Sequence, residues 1–352
     1  MPGMNQPPPQ LSLFAAEETE GTHPAVVTDA ARALAERVPP WVHFGTSSFT
    51  FPGWGKNLVY RGKPTQDDLV NDGLRAYAQH PLLRTVGIDR SYYGPLAAED
   101  LAKYRVQLPA GYPLVFKAWE EITTRVVPSH ARYGARAGEA NRSFLDPSVF
   151  SDVLAPHLQE LRASTAAFVF QLAPAPKNAV PSPAAFAREL ATFFRGIPHF
   201  SAAEGRPGPR YAIELRNSEL MSPSYFAVLR EHGVGHVFNY WTAMPTIGAQ
   251  AQLEGALTSD VLVVRLMQPP FTRYEELKAN YAPFDRIRAT DPEMRQDVLH
   301  LLERALEAGV TAAFVIVNNK AEGSAPLTCF DLAERVAHWS DPPPLSVPPT
   351  RV

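Results

Sequence analysis

Eight short apolar runs alternate with eight amphipathic ones along the chain, and this limits the folds open to it more than any other feature. The apolar runs are 41–47 (WVHFGTS), 85–92 (TVGIDRSY), 114–119 (LVFKAW), 166–172 (AAFVFQL), 210–216 (RYAIELR), 236–241 (HVFNYW), 261–267 (VLVVRLM) and 312–319 (AAFVIVNN). Each has six to eight residues, is rich in Val, Ile, Phe and Tyr, and mostly lacks strict alternation. That is the pattern of a strand buried on both faces. Helical patterns cover 67–79, 97–106, 148–163, 183–195, 222–232, 247–256, 293–308 and 328–338. Asp146-Pro147, Ser182-Pro183 and Asp291-Pro292 each set a capping residue before a proline at the first helical position. Gly233 and Gly309 are candidates for the left-handed residue that closes a helix. Eight such units in series predict a (β/α)8 TIM-like barrel. The rival, a doubly wound sheet, brings a phosphate-binding glycine turn after its first strand, and none is visible here.

A single barrel of roughly 250 residues plus tails accounts for the 352 residues. Nine of the 35 prolines lie at the extremes: Pro2, Pro7, Pro8 and Pro9, then Pro342, Pro343, Pro344, Pro348 and Pro349. Proline-dense ends do not form helix or central strand. The expected organisation is a disordered tail over 1–27, a lead-in helix within 28–40, the barrel over 41–339 and a disordered Pro-rich tail over 340–352. Hydrophobic content of 45% supplies a large core. A net charge of −3 creates no global field for nucleic acid or membrane, so such binding would need a local patch. The single cysteine, Cys329, excludes an intramolecular disulfide and Cys-rich zinc sites. It reads as a small core residue. The first residues lack the basic and apolar regions of a signal peptide, and no run of about 18 apolar residues exists. A cytoplasmic protein without membrane partners is the expectation.

In a barrel of this kind, functional groups sit where strands end and loops begin. This rule selects Thr46, Ser47 and Ser48; Asp89, Tyr92 and Tyr93; Lys117 and Trp119; Gln171; Glu214 and Arg216; Asn239 and Trp241; Arg265; and Asn318 and Asn319. Charges in buried strands are costly unless paired or solvated at a mouth. Lys117, Glu214, Arg216 and Arg265 therefore form either a structural ion-pair ring or an anion pocket with one carboxylate as acid or base. Surplus cations favour a phosphate or carboxylate ligand. The first loop, 48–66, interleaves Phe49, Phe51, Trp54 and Tyr60 with Lys56, Arg61 and Lys63. It reads either as a stacking platform or as local core plugging the mouth. The long third loop, 123–146, carries Arg125, Arg132, Arg136 and Arg142 and reads as a lid or an inert insertion. HExxH, P-loop, GxGxxG and GxSxG motifs are all missing. His232 and His236 flank a glycine-rich turn rather than share a helix face. No cofactor or metal site is expected. The weak exception is Mg²⁺ on Asp89 and Glu214, and a Schiff-base role for Lys117 is an alternative chemistry.

Six segments resemble the YecE-like family, domain of unknown function 72. FGTSSFTFPGW is similar to its GTSGW-type opening, VGIDRSYYGP to VEINSTFY and LVFKAWEEIT to F-x-F-K…IT. FVFQLAP, AIELR and FVIVNNKAEGSAP are similar to LFQLPP, A-x-E-x-R and YFNN…G-x-A-P. The resemblance implies a TIM-like barrel. Its polar positions fall on Thr46, Asp89, Tyr93, Lys117, Gln171, Glu214, Arg216, Arg265 and Asn319. Gly87 stands where the family usually has Glu and Asp89 where it has Asn. The R-x-H-G after strand seven is here Arg265-Leu266-Met267-Gln268, which marks a divergent branch.

Residues Gln10, Leu11, Ser12, Leu13 and Phe14 resemble the pentapeptide by which bacterial repair and replication proteins dock on the sliding clamp. Leu13 and Phe14 would enter an apolar pocket while Gln10 makes polar contacts at its edge. Taken together, the residues predict an enzyme acting on an anionic substrate by hydrolysis or a related polar reaction. Glu214 or Asp89 would be the acid/base, and Lys117, Arg216 and Arg265 would hold the anion. Asn318 and Asn319 would orient it, with Thr46, Tyr93, Gln171 and Asn239 lining the site. With clamp docking, the substrate would be a nucleic acid or damaged nucleotide. The competing expectation is a non-catalytic adaptor or nucleic-acid-binding module.

Overall fold

Every apolar run becomes a parallel strand, and together the strands close on themselves. In the computed structural model, which describes residues 22–200 and 208–339, the strands are β1 (Val42–Thr46), β2 (Thr85–Ile88), β3 (Leu114–Lys117), β4 (Thr165–Gln171), β5 (Arg210–Glu214), β6 (Gly235–Tyr240), β7 (Val261–Leu266) and β8 (Ala312–Val317). They pair in chain order, and β8 closes on β1 from Val42↔Ala313 to Thr46↔Val317. The helices are α1 (Asp29–Arg37), α2 (Gln66–Tyr77), α3 (Ala98–Gln107), α4 (Glu120–Thr123), α5 (Pro147–Glu160), α6 (Pro183–Gly196), α7 (Pro223–Glu231), α8 (Ile247–Ala251), α9 (Tyr274–Tyr281), α10 (Pro292–Glu307) and α11 (Ala325–Ala337). The fold is thus the eight-stranded α/β barrel. Both proline-rich ends and residues 10–14 lie outside the described residues.

The local signals act as their chemistry requires. Asp146, Ser182 and Asp291 each accept backbone N–H bonds at the starts of α5, α6 and α10, with proline just inside each helix. Gly233 and Gly309 take φ values of 62° and 78° just beyond α7 and α10. At Gly45 the reason for glycine is close approach. A Cβ there would lie 1.9 Å from the Thr85 carbonyl oxygen, so only glycine lets β1 meet β2. Two short helices, α4 and α9, lie in stretches whose periodicity gave no helix. The helix expected over 247–256 is confined to the five residues of α8. Among the described residues no helix is long and apolar enough to cross a membrane.

The core has two compartments. Between barrel and helices lies a large layer that includes Val42, Phe44, Phe116, Phe168, Phe170, Leu190 and Val315. Inside the barrel lies a smaller one of Val115, Ala167, Val169, Ala212, Val237, Val263, Phe314 and Ile316. Strand side chains alternate faces, so two residues beyond each inner apolar position is another inward one. Continuing those rows toward the strand C-termini reaches Lys117, Gln171, Glu214, Asn239, Arg265 and Asn318. The barrel interior therefore changes from dry to charged within one layer.

Candidate functional site at the barrel mouth

Glu214, wholly buried, ends the inward row of β5, and both its oxygens face guanidinium groups. Arg216 Nη2 donates to Oε1, and Arg265 Nη1 donates to Oε2 at 2.5 Å. Arg265 then reaches across the barrel and donates from Nη2 to both oxygens of Asp89, at 2.9 Å each. Lys117 Nζ lies 3.2 Å from Asp89 Oδ2. Gln171 Oε1 ties the two arginines together, accepting from Arg216 at 3.1 Å and Arg265 at 3.2 Å. Five strands or strand ends thus contribute to one connected network.

Burial and charge set the protonation states. Burial alone would raise the Glu214 carboxyl, but Arg216, Arg265 and Lys117 outweigh it and hold the group below its ordinary value. Glu214 is a fixed anion, poorly suited to accept a proton. Burial pushes the Lys117 ammonium down to about 8, with Arg265 and Arg216 adding to the effect and Asp89 opposing it. Lys320, just beyond β8, is likewise lowered to about 8 by burial, against the pull of Asp89. Its Nζ donates to Asn318 Oδ1 at 2.8 Å and lies 4.3 Å from the Tyr274 ring centroid. Lys320 escaped the sequence reading because it sits past the strand end, in a segment read for its asparagines. Its local signal is the NNK triplet itself.

Gradation in exposure gives the network a direction. The Glu214, Arg265 and Arg216 side chains are sealed at 0%, 1% and 5% exposure, Lys117 shows 11%, and Asp89 opens to 24%. One polar atom in the sealed part is unsatisfied: Arg216 Nε is buried without a hydrogen-bond partner, although its guanidinium stacks 4.2 Å from the Trp241 ring centroid. A buried donor left unpaired is costly, which makes it a place where an acceptor would be welcome.

The remaining selected residues divide by strand parity. Asn318 faces inward beside the network, donating to Ser47 Oγ at 2.8 Å. Asn239 is buried, and its Nδ2 donates to the Leu215 carbonyl at 2.7 Å while its Oδ1 has no partner. Thr46 points the other way, toward α2, where its Oγ1 is 2.8 Å from the Tyr77 hydroxyl and donates to the Ser48 carbonyl. Asn319 also faces the helical layer. Its Oδ1 accepts from Trp54 Nε1 at 3.3 Å and from the Ala325 N–H at 2.8 Å, so it holds the start of α11. Neither Thr46 nor Asn319 joins the charged cluster. Tyr93 stands on the outer rim, 65% exposed.

The two loops also acquire definite roles. Phe49, Trp54 and Tyr60 are buried, whereas Lys56, Arg61 and Lys63 are exposed, so the first-loop aromatics are local core and form no stacking platform. The third loop is tied to its surroundings by Arg125–Glu189, Arg132–Glu120 and Arg136–Glu121 pairs, and a bridge between Val126 and Ala140 closes it on itself. His232 caps α7 and His236 lies in β6, each in its own surroundings. Among the described residues, no group of three or more His, Cys, Asp or Glu side chains could hold a metal. Every oxygen of Asp89 and Glu214 already faces a protein cation.

Two solved structures share this architecture. A DUF72 family protein from Thermotoga maritima is 17% identical, with a TM-score of 0.55 over 84% of this chain and 98% of that one. Another from Enterococcus faecalis is 17% identical, with a TM-score of 0.54 over 86% and 97%. At this identity the likeness is one of fold. No curated protein matches the chain. The family model described as "Protein of unknown function DUF72" matches residues 43–350, from the first strand through the last helix, and the chain belongs to that family.

Proposed function

We propose that the barrel mouth binds an anionic, phosphate- or carboxylate-bearing ligand and performs a polar, proton-transferring reaction on it. The observation that carries this reading is the imbalance of the network. Lys117, Arg216 and Arg265 are paired with Asp89 and Glu214, three cations to two carboxylates, Lys320 lies nearby between Asp89 and Glu275, and Arg216 Nε lacks an acceptor. Lys117 and Asp89, the most accessible members, are the candidate proton-transfer pair. With its ammonium lowered to about 8, roughly a tenth of Lys117 is neutral at pH 7, enough to serve as a base. Glu214 acts through the two arginines it positions. Hydrolysis of a phosphoester fits these groups.

The test is calorimetric titration with inorganic phosphate, together with turnover of a phosphoester and nucleic-acid panel with and without Mg²⁺. The reading expects phosphate binding that Lys117→Met weakens and turnover that Glu214→Ala abolishes. Binding without turnover, with wild-type and Glu214→Ala rates equal throughout, would leave a non-catalytic binding module in place of an enzyme.

The Gln10–Phe14 pentapeptide supports a cellular setting for this chemistry, cytoplasmic and linked to DNA through a bacterial sliding clamp. Titration of purified clamp with wild type and with Leu13→Ala/Phe14→Ala checks it. Equal affinity of both proteins removes the docking.

A further inference from the structure

Four cations around the mouth each lie over an aromatic ring. Lys117 Nζ is 5.1 Å from the Tyr92 centroid and Lys320 Nζ 4.3 Å from Tyr274, while the guanidinium carbons of Arg216 and Arg132 are 4.2 Å from Trp241 and 5.2 Å from Tyr93. Such pairs hold cations in place without neutralising them, because a ring attracts charge through its quadrupole and carries none itself. Of the four, only Lys320 has no carboxylate within ion-pair distance among the described residues; Lys117, Arg216 and Arg132 are also paired with Asp89, Glu214 and Glu120.

Above this floor the rim is aromatic and bare. Tyr93, Phe271 and Tyr274 are 65%, 95% and 49% exposed. A single exposed aromatic residue is ordinary, but three stand on the segments that follow β2 and β7, with Phe271 three residues before Tyr274. Phe271 also holds φ at 59°, a left-handed conformation that bulky L residues rarely adopt. It is kept in a strained turn with its ring in water, which burial does not explain. Tyr93 lies close enough to Tyr274 and Asp89 that, after burial, both raise its phenol, so the rim and the charged network are neighbours. Asp89, its side chain 24% exposed and its carboxylate shared by Arg265 and Lys117, lies between them.

We infer that the anion at the mouth carries a planar heterocycle: the ligand is a nucleotide unit, its phosphate on Lys117 and Lys320 and its base against Tyr93, Phe271 and Tyr274. This rests on the anion-binding reading above and adds the class of ligand. Stacking on an aromatic side chain tolerates any base, because every base presents a π-face. The site therefore selects a base-sugar-phosphate pattern more strongly than a base identity.

Calorimetric titration at one ionic strength with AMP, ribose 5-phosphate, adenosine, inorganic phosphate and a short single-stranded oligonucleotide tests this. AMP is expected to bind on the order of ten-fold more tightly than ribose 5-phosphate, the gain a stacked base supplies. The ratio should fall toward one in Phe271→Ala/Tyr274→Ala. That variant changes exposed side chains, and circular dichroism checks that it is folded. Equal affinities for AMP and ribose 5-phosphate in the wild type would overturn the nucleotide assignment while leaving anion binding intact. Adenosine binding as well as AMP would overturn it too, because the phosphate would then contribute nothing. Failure of every phosphate compound to bind would end both readings. An oligonucleotide that binds more tightly than AMP makes a nucleic-acid strand the source of the unit, and equal affinity makes it a free mononucleotide.

Discussion

Two buried ion-pair clusters in this barrel use the same residue types and differ in one respect. Behind the sheet, Arg295 grips Glu322 through Nε at 3.0 Å and Nη2 at 2.9 Å, and reaches Asp331 at 2.7 Å. Glu322 also accepts from the Asp291 N–H and the Thr328 hydroxyl, so its charge is closed off and α10, α11 and the β8 loop are stapled together. At the mouth, Glu214 is equally buried, but the cations around it outnumber the carboxylates and one guanidinium nitrogen is left over. The first cluster ends with its buried carboxylate matched on every side; the second keeps a surplus of positive charge, which is the feature the proposed anion binding rests on.

The largest expected effect separates the clusters by stability. Glu322→Ala leaves the buried Arg295 with Asp331 alone and should cost about 3–5 kcal/mol, and phosphate should not restore it. Glu214→Ala leaves Arg216 with Gln171 alone and Arg265 with Asp89 and Gln171, and should cost a similar amount, yet added phosphate should recover part of the loss by standing in for the carboxylate. Chemical denaturation with and without phosphate reads both. Equal insensitivity to phosphate would make the mouth a second structural staple.

Next in size is ligand affinity. Arg216→Ala and Lys117→Met should each weaken phosphate binding by roughly ten- to a hundred-fold, the value of a charge-assisted hydrogen bond of about 1.5–3 kcal/mol. Arg295→Met, if folded, should leave the affinity of the remaining native protein untouched.

The pH dependence sharpens the contrast further. Lys117 and Lys320 have ammonium groups lowered from 10.5 to about 8, so between those values the unfolded chain binds more protons than the folded one. Stability contributed by these groups should therefore rise as pH climbs from about 8 toward 10.5. Phosphate affinity should fall over the start of the same interval, as the mouth loses charge. Lys117→Met should flatten its share of both profiles, measured by denaturation and titration across that range. The smallest effect belongs to the surface. Arg335→Ala, which breaks an exposed pair with Asp331, should change stability by no more than about 1 kcal/mol.

Much of this was legible before any coordinates. Fully buried strands must be apolar on both faces, so β1 to β8 stood out as continuous runs. Asp146, Ser182 and Asp291 announced their helices because an orphan N–H needs an acceptor at a fixed offset. The strand-end rule also reached the charged network, since Lys117, Glu214, Arg216 and Arg265 are too costly to bury by accident. It did not separate Thr46 and Asn319 from the rest, because proximity to a strand end does not say which face a side chain takes. Counting by twos from Val42 and Phe44, which face the helices, and from Phe314 and Ile316, which face inward, makes that division. Loop 48–66 was ambiguous for a different reason: Trp54 and Tyr60 look the same in sequence whether they stack on a ligand or fill a gap.

Hydrophobic period and capping are local properties of the chain, so the architecture, and the residue types that crowd one end of it, can be read along the sequence. The partners cannot: that Arg265 spans from Glu214 to Asp89, that Lys320 joins the mouth, and that Arg295 is closed while Arg216 is not. Those outcomes depend on distances between strands far apart in the chain, and on which charges lose their water when the barrel closes.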